Sequence, residues 1–302
     1  MTSIPTTMKK YLLSALMIVV IGAMSALRAE VYYKEIKKNF AVNRDVKLDM
    51  DVSFANVNIQ TWDQSQMEII IKMDISAKNE ERANEYFESF NVDIDEGMDI
   101  VNLNIEAGDW NSSKSESFSV HVEIRMPAAA SLHGECAFGD LTISDLTAIC
   151  DVNIEYGNLK INGLWSYENN VRNSFGNATI NGTNGGEFNN EYGMLTIGLL
   201  QGNAKVQSSF GNLEIKKIAM QCKDLEVGVE YADAHIDLSS DAGFRFDLSS
   251  SYGNIDLPSS AKTTSSESDF QDKQVKGTIG NGEGKLEVKC EFGNVDIDVI
   301  SK

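Results

Sequence analysis

Three histidines are the first residues to consider for chemistry, because an imidazole ring serves both as an acid-base group and as a metal ligand. His121 and His235 lie in alternating stretches with apolar neighbours, which are typical of strands, and His133 is the third. The sequence has no HExxH zinc motif, no GxSxG nucleophile motif and no phosphate-loop glycine pattern. We therefore assign no catalytic, cofactor-binding or metal-ligating residue and predict that the protein is not an enzyme.

Carboxylates are the most abundant reactive groups: 45 Asp and Glu residues face 26 Lys and Arg residues, for a net charge of −19. Such a surface repels nucleic acid, so we predict no nucleic-acid partner. Asp256, Asp296 and Asp298 lie near a row of glutamates in the repeat described below. Weak Ca²⁺ binding through these oxygen ligands is the alternative to our expectation of no cofactor.

One motif repeats along the chain: an aromatic residue, a glycine, Asn or Asp, an aliphatic residue, any residue, and an aliphatic residue. Full copies occupy 138–143, 156–161, 175–180, 210–215, 252–257 and 292–297, and degenerate copies begin at Tyr192 and Tyr231. Successive aromatics are 17 to 21 residues apart up to Tyr252, and the last step is 40 residues. A repeat of this length is typical of one coil of a β-solenoid.

We predict an all-β fold, a right-handed parallel β-helix whose coils span 131–302, with a mobile loop at 258–275. Strand parity, counted from residues such as Val152 and Val171, predicts that the aromatic side chains point into the core. Glycine and asparagine tolerate positive φ, so we expect them to form the corner, with the Asn and Asp residues aligned in a structural ladder. The residue before each aromatic alternates between Glu and Ser from Glu155 to Glu291, which indicates neighbouring coils that keep like charges apart.

The repeat register also decides how to interpret the four cysteines. Cys136 and Cys290 occupy equivalent places in the first and last coils, whereas Cys150 and Cys222 lie about four coils apart. A disulfide needs α-carbons within about 7 Å. We predict four unpaired, mostly buried thiols.

Residues 30–130 lack the regular spacing and alternate like strands, apart from a copy-like segment at 54–59. Between the strands, 77–90 is charged and favours a helix, with Ala83, Tyr86, Phe87 and Phe90 on one face. We predict a β-rich N-terminal cap containing one short helix, because an open solenoid end exposes unpaired backbone groups.

The first 29 residues resemble a secretory signal peptide: Lys9 and Lys10, an apolar run over 11–21, and small residues up to Ala29. We therefore predict an exported protein in the periplasm, at the cell surface or secreted, with no transmembrane segment after cleavage. The aromatic side chains we favour for contact with a ligand lie in irregular connections, and they are Trp110, Trp165 and Tyr167.

The repeated motifs, together with 57–63 (VNIQTWD) and 122–127 (VEIRMP), resemble a bacterial family of β-strand-repeat domains of unknown function known as adhesins, akin to the heads of autotransporter adhesins. The resemblance covers most of residues 40 to 300. It implies a β-helix without catalytic residues.

These observations predict a non-catalytic, adhesin-like binding or scaffold protein of the bacterial cell envelope. Its partner is an envelope protein or a glycan, and the sequence leaves its identity and the oligomeric state open. Two alternatives remain at this point: a polysaccharide-active enzyme on the same scaffold, and a purely structural periplasmic protein.

Overall fold

Two long sheets of short strands make up the computed structural model, which describes residues 30–108 and 116–300. The N-terminal part contains β1 (Glu30–Ala41), β2 (Lys47–Ser53), β3 (Asn56–Trp62), β4 (Gln66–Ala77), α1 (Glu80–Ser89), β5 (Phe90–Asp95), β6 (Ile100–Ala107) and β7 (Ser117–Pro127). The predicted signal peptide at 1–29 lies outside the described residues. No helix in the described part is long and apolar enough to cross a membrane.

The rest of the described chain contains two strands from each repeat and two further strands, Lys262–Ser268 and Asp272–Ile279, between the last two repeats. They are β8 (Ser131–Ala137), β9 (Leu141–Leu146), β10 (Cys150–Glu155), β11 (Leu159–Leu164), β12 (Asn169–Ser174), β13 (Ala178–Thr183), β14 (Gly186–Glu191), β15 (Leu195–Leu200), β16 (Ala204–Ser209), β17 (Leu213–Ile218), β18 (Asp224–Glu230), β19 (Ala234–Ser239), β20 (Phe244–Ser251), β21 (Ile255–Asp256), β22 (Lys262–Ser268), β23 (Asp272–Ile279), β24 (Gly284–Glu291) and β25 (Val295–Ile300).

The strands of a coil belong to different sheets. Sheet A has 12 strands in the order β1-β4-β7-β3-β9-β11-β13-β15-β17-β19-β25-β21, and sheet B has 13 in the order β22-β23-β20-β24-β18-β16-β14-β12-β10-β8-β2-β6-β5. Neighbouring repeat strands pair in parallel, with Val152 opposite Val171 and Leu159 opposite Ala178. The all-β repeat architecture predicted from the sequence is therefore confirmed, and one repeat is one coil.

Alternating side chains fill the space between the sheets. In the coil of β10 and β11, Cys150, Val152 and Ile154 from sheet B meet Leu159, Ile161 and Leu164 from sheet A, all buried. Burying one aliphatic side chain of this size contributes roughly 1.5–3 kcal/mol before entropy is subtracted. The period-two pattern of the sequence therefore sets which face of each strand joins the core.

The chain passes from sheet B to sheet A through a short aromatic corner, formed from β8 onward by the aromatic residue and the two residues after it. The prediction that the aromatics point inward is wrong, because all of them are 42–54% exposed. Each adopts a left-handed backbone with φ of 54–59°, which ends the strand geometry on which parity counting depends. The side chain is thereby turned outward at Phe54, Phe138, Tyr156, Phe175, Tyr192, Phe210, Tyr231, Tyr252 and Phe292.

The corner glycine has a different role from the one expected. It is not among the residues with positive φ, so the left-handed conformation belongs to the aromatic residue instead. A Cβ built on Gly157 would lie 1.9 Å from the carbonyl oxygen of Gly139 in the next coil. Glycine suits this position because the backbones of stacked corners approach closely, and it follows seven of the nine aromatic residues, with Ala55 and Ala232 after the other two.

The predicted ladder of Asn and Asp residues is confirmed at the same corner. The amide N–H of Asn158 donates to Asp140 Oδ1 at 2.8 Å, and that of Asn177 donates to Asn158 Oδ1 at 3.1 Å. The Met194 amide continues the row by donating to Asn177. Each ladder side chain satisfies a backbone donor one coil away, which is a structural function.

At both ends the order of the coils in space differs from their order in the sequence. The coil of β24 and β25 lies between that of β18 and β19 and that of β20 and β21, and the coil of β2 and β3 lies between β6 with β7 and β8 with β9. Glu230 consequently pairs in register with Glu291, and not with Ser251. The inference that the whole Glu/Ser alternation reflects neighbouring coils is therefore wrong at this end.

Antiparallel strands close the stack. At the N-terminal end, β4 pairs with β7, β1 with β4, and β5 with β6, while α1 buries Ala83, Tyr86 and Phe87 as predicted. At the other end, β23 pairs with β20 and β22 with β23. Residues 258–275, expected to form a loop, thus contain β22 and the start of β23. The physical reason is that β22 is the edge strand of sheet B. An edge strand can be polar, because it pairs with a single neighbour and need not contribute side chains to the core.

Candidate binding surface

The aromatic residues favoured from the sequence do not form one site. Trp110 lies outside the described residues. Trp165 is partly buried, and its indole Nε1 donates to Asp145 Oδ1 at 3.0 Å. Its ring covers Gly182, where an added Cβ would lie 2.9 Å from the ring, so Trp165 packs on the outside of sheet A. Tyr167 is 73% exposed in the following turn.

The three histidines lie on the outer faces of the sheets, on three different strands: β7, β8 and β19. His133 Nδ1 is 3.1 Å from Asp151 Oδ2, and His121 is exposed on β7. His235 Nδ1 is 3.0 Å from Asp296 Oδ2, with Asp298 on the same strand as Asp296.

The cluster around His235 is the part of the described chain with the donor set of a metal site. Ligand atoms of His235, Asp296 and Asp298 lie within 4.8 Å of one another. Asp237 adjoins the cluster, and its pKa is raised, first by burial and further by the carboxylates of Asp298 and Asp296, although His235 opposes the rise. One imidazole nitrogen with carboxylate oxygens is a set that several divalent cations accept. Asp256, the third acid considered for Ca²⁺, pairs in register with Asp296.

The exposed aromatics form a continuous surface that we call the aromatic ridge. Adjacent ring centroids are 4.7–5.0 Å apart and adjacent ring planes differ by 2–10°. With one ring per coil, nine rings span roughly 38 Å at the strand spacing of about 4.8 Å. In spatial order the ridge consists of Phe54, Phe138, Tyr156, Phe175, Tyr192, Phe210, Tyr231, Phe292 and Tyr252.

Stacking determines which part of each ring a ligand meets. Both faces of an interior ring are covered by its neighbours, so the ridge exposes ring edges and tyrosine hydroxyls. At the two ends, Phe118 contacts Phe54 edge-on at 6.3 Å, and the Tyr252 hydroxyl is 2.9 Å from Gln271 Oε1. A sugar ring stacks on aromatic faces, and the seven interior rings of the ridge do not offer them.

Two polar rows border the ridge. On the side of sheet A runs the Asn ladder, and on the side of sheet B runs the residue that precedes each aromatic. In the second row Glu155, Glu191, Glu230 and Glu291 are exposed, with Ser174 and Ser209 between the first three. The surface is therefore an apolar strip with carboxylates along one side and amides along the other.

A buried polar row supports the corner from inside, and sequence reasoning missed it. Asn173 Nδ2 donates to the carbonyl oxygen of Gly176 at 2.7 Å, and Ser208 Oγ donates to that of Gly211 at 2.6 Å. Asn190 donates to Gly193 in the same way. The sequence did contain a signal for this row. Polar residues stand two positions before several of the aromatics, at positions that the strand alternation assigns to the core. Hydrogen bonds from this row satisfy carbonyls that the tight corner would otherwise leave unpaired.

The profile of the Toastrack family, DUF4097, matches residues 46–298. The chain belongs to the Toastrack family. No curated protein matches the chain.

Several solved bacterial structures match this Toastrack chain at low sequence identity. A putative adhesin from Bacteroides fragilis is 12% identical, with 88% of this chain and 97% of that chain covered at a TM-score of 0.44. A putative adhesin from Parabacteroides distasonis is 14% identical, covering 90% and 98% at a TM-score of 0.40. A putative lipid binding protein from the same organism is 12% identical, covering 88% and 97% at 0.38.

The cysteines of the Toastrack chain are four free, buried thiols, as predicted. Burial raises the pKa of Cys136, Cys150 and Cys222 to about 12 and that of Cys290 to about 11. Cys136 Sγ lies 3.6 Å from the Gly139 carbonyl oxygen and thus belongs to the buried polar row. A protonated and buried thiol is a weak nucleophile. We therefore assign these thiols a role in packing and not in chemistry.

Proposed function

We propose that this Toastrack protein is an exported, non-catalytic, adhesin-like binding or scaffold protein of the bacterial cell envelope that contacts its partner through the aromatic ridge. The observation that carries the proposal is the half-exposed state of all nine ridge rings. We further propose that the coils wind as a right-handed parallel β-helix, the hand that parallel crossovers adopt in almost all proteins.

The energetics of the corner support a role beyond folding. A non-glycine residue in the left-handed conformation costs roughly 1–2 kcal/mol, and every ridge residue is in that conformation. Ring stacking offsets about 0.5–1.5 kcal/mol per pair. An asparagine tolerates the same backbone more easily and is common at turns. A long apolar strip on the surface is a feature of interaction sites.

The repetition of the ridge supports binding over catalysis. Most coils present the same kind of ring, with Glu or Ser before it and Asn or Asp two residues after it, whereas a catalytic site requires a single convergence of different groups. The grooves beside the strands are open; one of about 300 Å³ over Gly228 is lined by Glu226, Glu230 and Glu291. The basic, apolar and small segments of residues 1–29 support export.

The experiment replaces three ridge rings by Asn, which keeps the left-handed backbone: Tyr156→Asn, Phe175→Asn and Tyr192→Asn. Purified protein is sedimented with envelope fragments of the cells that produce it, and the bound fraction is measured. We expect the triple variant to lose at least tenfold in affinity while its circular dichroism spectrum is unchanged. The control is Tyr167→Asn, which removes an exposed tyrosine outside the ridge.

Unchanged binding by the triple variant would refute the ridge as the contact surface. Release of new reducing sugar ends from the fragments by the wild-type protein would show an enzyme instead. Export is tested separately by fractionating the cells and measuring the mass of the N-terminus of the mature chain.

A further inference from the structure

We propose that the partner of the ridge is a basic segment in the polyproline II conformation, with Lys or Arg at every third residue. This inference rests on the proposed function and specifies the chemistry of the ligand. It is carried by the charge and the spacing of the glutamates beside the ridge.

The ridge glutamates differ from Glu226 and Glu287, two ion-paired acids on the outer face of sheet B. Glu226 pairs with Lys205, and Glu287 pairs with both Lys285 and Lys289. The ion pairs found within 30–108 and 116–300 include none of the four ridge glutamates. Their uncompensated charge favours a cationic partner.

The spacing of these carboxylates selects the conformation of the partner. Two ring steps of 4.7 Å separate the coils of Glu155 and Glu191, and steps of 4.8 and 5.0 Å separate those of Glu191 and Glu230. A carboxylate therefore recurs every ~9.6 Å, twice the spacing of paired strands. A polyproline II helix rises about 9.3 Å per three-residue turn.

Other regular conformations fit this interval less well. Two turns of an α-helix rise about 10.8 Å, and same-face residues of a β-strand recur every ~6.7 Å. Over the two intervals from Glu155 to Glu230, the polyproline II mismatch stays near ~0.6 Å, whereas that of the α-helix reaches ~2.4 Å. A segment with a cation at every third residue keeps all three charges in register.

The tyrosines share the period of the glutamates. Tyr156, Tyr192 and Tyr231 directly follow Glu155, Glu191 and Glu230. Their hydroxyls project from the ridge and are suited to donate to the backbone carbonyls of the ligand, which a polyproline II helix leaves unbonded internally. The ring edges contact the proline rings and the aliphatic stems of the basic side chains, while the carboxylates bind the charged ends.

The same observations disfavour the other occupants. A neutral glycan brings hydroxyl donors but no charge to balance the carboxylate row, and the faces of the interior rings on which it would stack are covered. An anionic lipid surface and a second copy of this chain, with its net charge of −19, both repel the row.

The test measures binding of fluorescent peptides to the full protein by anisotropy. The probe is (Lys-Pro-Pro)₅, and the spacing control is (Lys-Pro-Pro-Pro)₅, with the same five charges. We expect the three-residue repeat to bind at least tenfold more tightly, and binding to weaken with salt. Glu155→Gln, Glu191→Gln and Glu230→Gln together should abolish this preference.

The matched control variant is Glu135→Gln, Glu168→Gln and Glu187→Gln, which removes three exposed acids outside the row and should stay within twofold of wild type. Equal affinity for both peptides, or equal losses in both variants, would reduce the effect to general charge attraction and overturn the proposal. If neither peptide binds but sedimentation with envelope fragments still depends on the ridge rings, this ligand class is refuted and the proposed function stands.

Discussion

Each coil turns twice, and the two turns are built differently. At the aromatic corner, every coil from β8 onward uses three residues between its strands, whereas the opposite turn, from sheet A back to sheet B, uses two to five. Residues 184–185 form the shortest opposite turn and 219–223 the longest in the regular part of the stack. Variation in repeat length is thus absorbed by the opposite turn and by the longer strands β18 and β20, which leaves the aromatic corner uniform.

The difference teaches which side of the molecule is under tight geometric control. At the aromatic corner, backbones contact one another directly, the Asn ladder links successive coils, and rings stack at 4.7–5.0 Å. At the opposite turn, stacked backbones also approach closely, since a Cβ on Gly202 would lie 1.7 Å from the Asn184 carbonyl oxygen, but the connections differ in length from coil to coil. A surface with one ring and one carboxylate position per coil is what a repetitive ligand requires.

The largest predicted effect contrasts insertions at the two turns. One alanine inserted between Gly157 and Asn158 removes the register of the ladder and of the stack, and we expect a loss of roughly 4 kcal/mol or more in unfolding free energy. The same insertion between Tyr167 and Glu168 lengthens an exposed connection and should cost less than about 1 kcal/mol. Urea unfolding followed by circular dichroism measures both, and similar losses would remove the distinction between the turns.

Gly157→Ala should have the next largest effect. Its new Cβ would lie 1.9 Å from a carbonyl oxygen unless the stacked corners move apart, so we expect destabilisation of about 3 kcal/mol. The control is Gly134→Ala in β8, whose Cβ would have its closest contact with the flexible end of Met50 at 3.2 Å. The control should lose less than about 1 kcal/mol in the same unfolding experiment. A neutral Gly157→Ala would mean that the corners are not closely stacked.

A smaller effect distinguishes the tyrosines of the two turns. Tyr192→Asn removes two ring stacks but eases the left-handed backbone, so we expect a net loss of about 1 kcal/mol. Tyr167→Asn, on the opposite turn, should change stability by less than about 0.5 kcal/mol. Thermal unfolding of the two variants side by side decides whether the stack stabilises the coil.

The thiols should show almost no difference between the turns at neutral pH. Cys136 and Cys290 lie at the aromatic corner and Cys150 and Cys222 beside opposite turns, yet burial raises the pKa of all four to about 11 or 12. At pH 8 we expect no reaction of the native protein with Ellman's reagent within an hour, and four thiols after unfolding in urea. Because the folded thiols hold protons that unfolded thiols release near pH 8.5, stability should fall as the pH rises above about 8.5.

Much of the fold follows from sequence, because periodicity fixes it. The spacing of the Phe-Gly-Asn copies predicts the coil, the alternation of residues such as Val152 and Ile154 predicts the core face, and the register predicts unpaired cysteines. Helix α1 was readable from the spacing of Ala83, Tyr86 and Phe87. Each of these inferences uses regular backbone geometry within one strand or helix.

The candidate site was not predictable in the same way, because it depends on the one residue per coil that leaves regular geometry. Parity counting placed Tyr156 inside, and a single positive φ reverses that result. The insertion of β24 and β25 beneath β20 and β21 likewise depends on pairing between distant segments. The 40-residue step before Phe292 signalled an irregularity but not which strands would become neighbours.

Nitration of tyrosines by tetranitromethane, mapped by mass spectrometry, tests the central claim that the ridge is exposed. Tyr167, 73% exposed, and Tyr86, 3% exposed, provide internal references for reactive and protected rings. We predict that Tyr156, Tyr192 and Tyr231 are nitrated within a few-fold of the rate of Tyr167. Protection of these three rings to the level of Tyr86 would place them in the core and contradict the account.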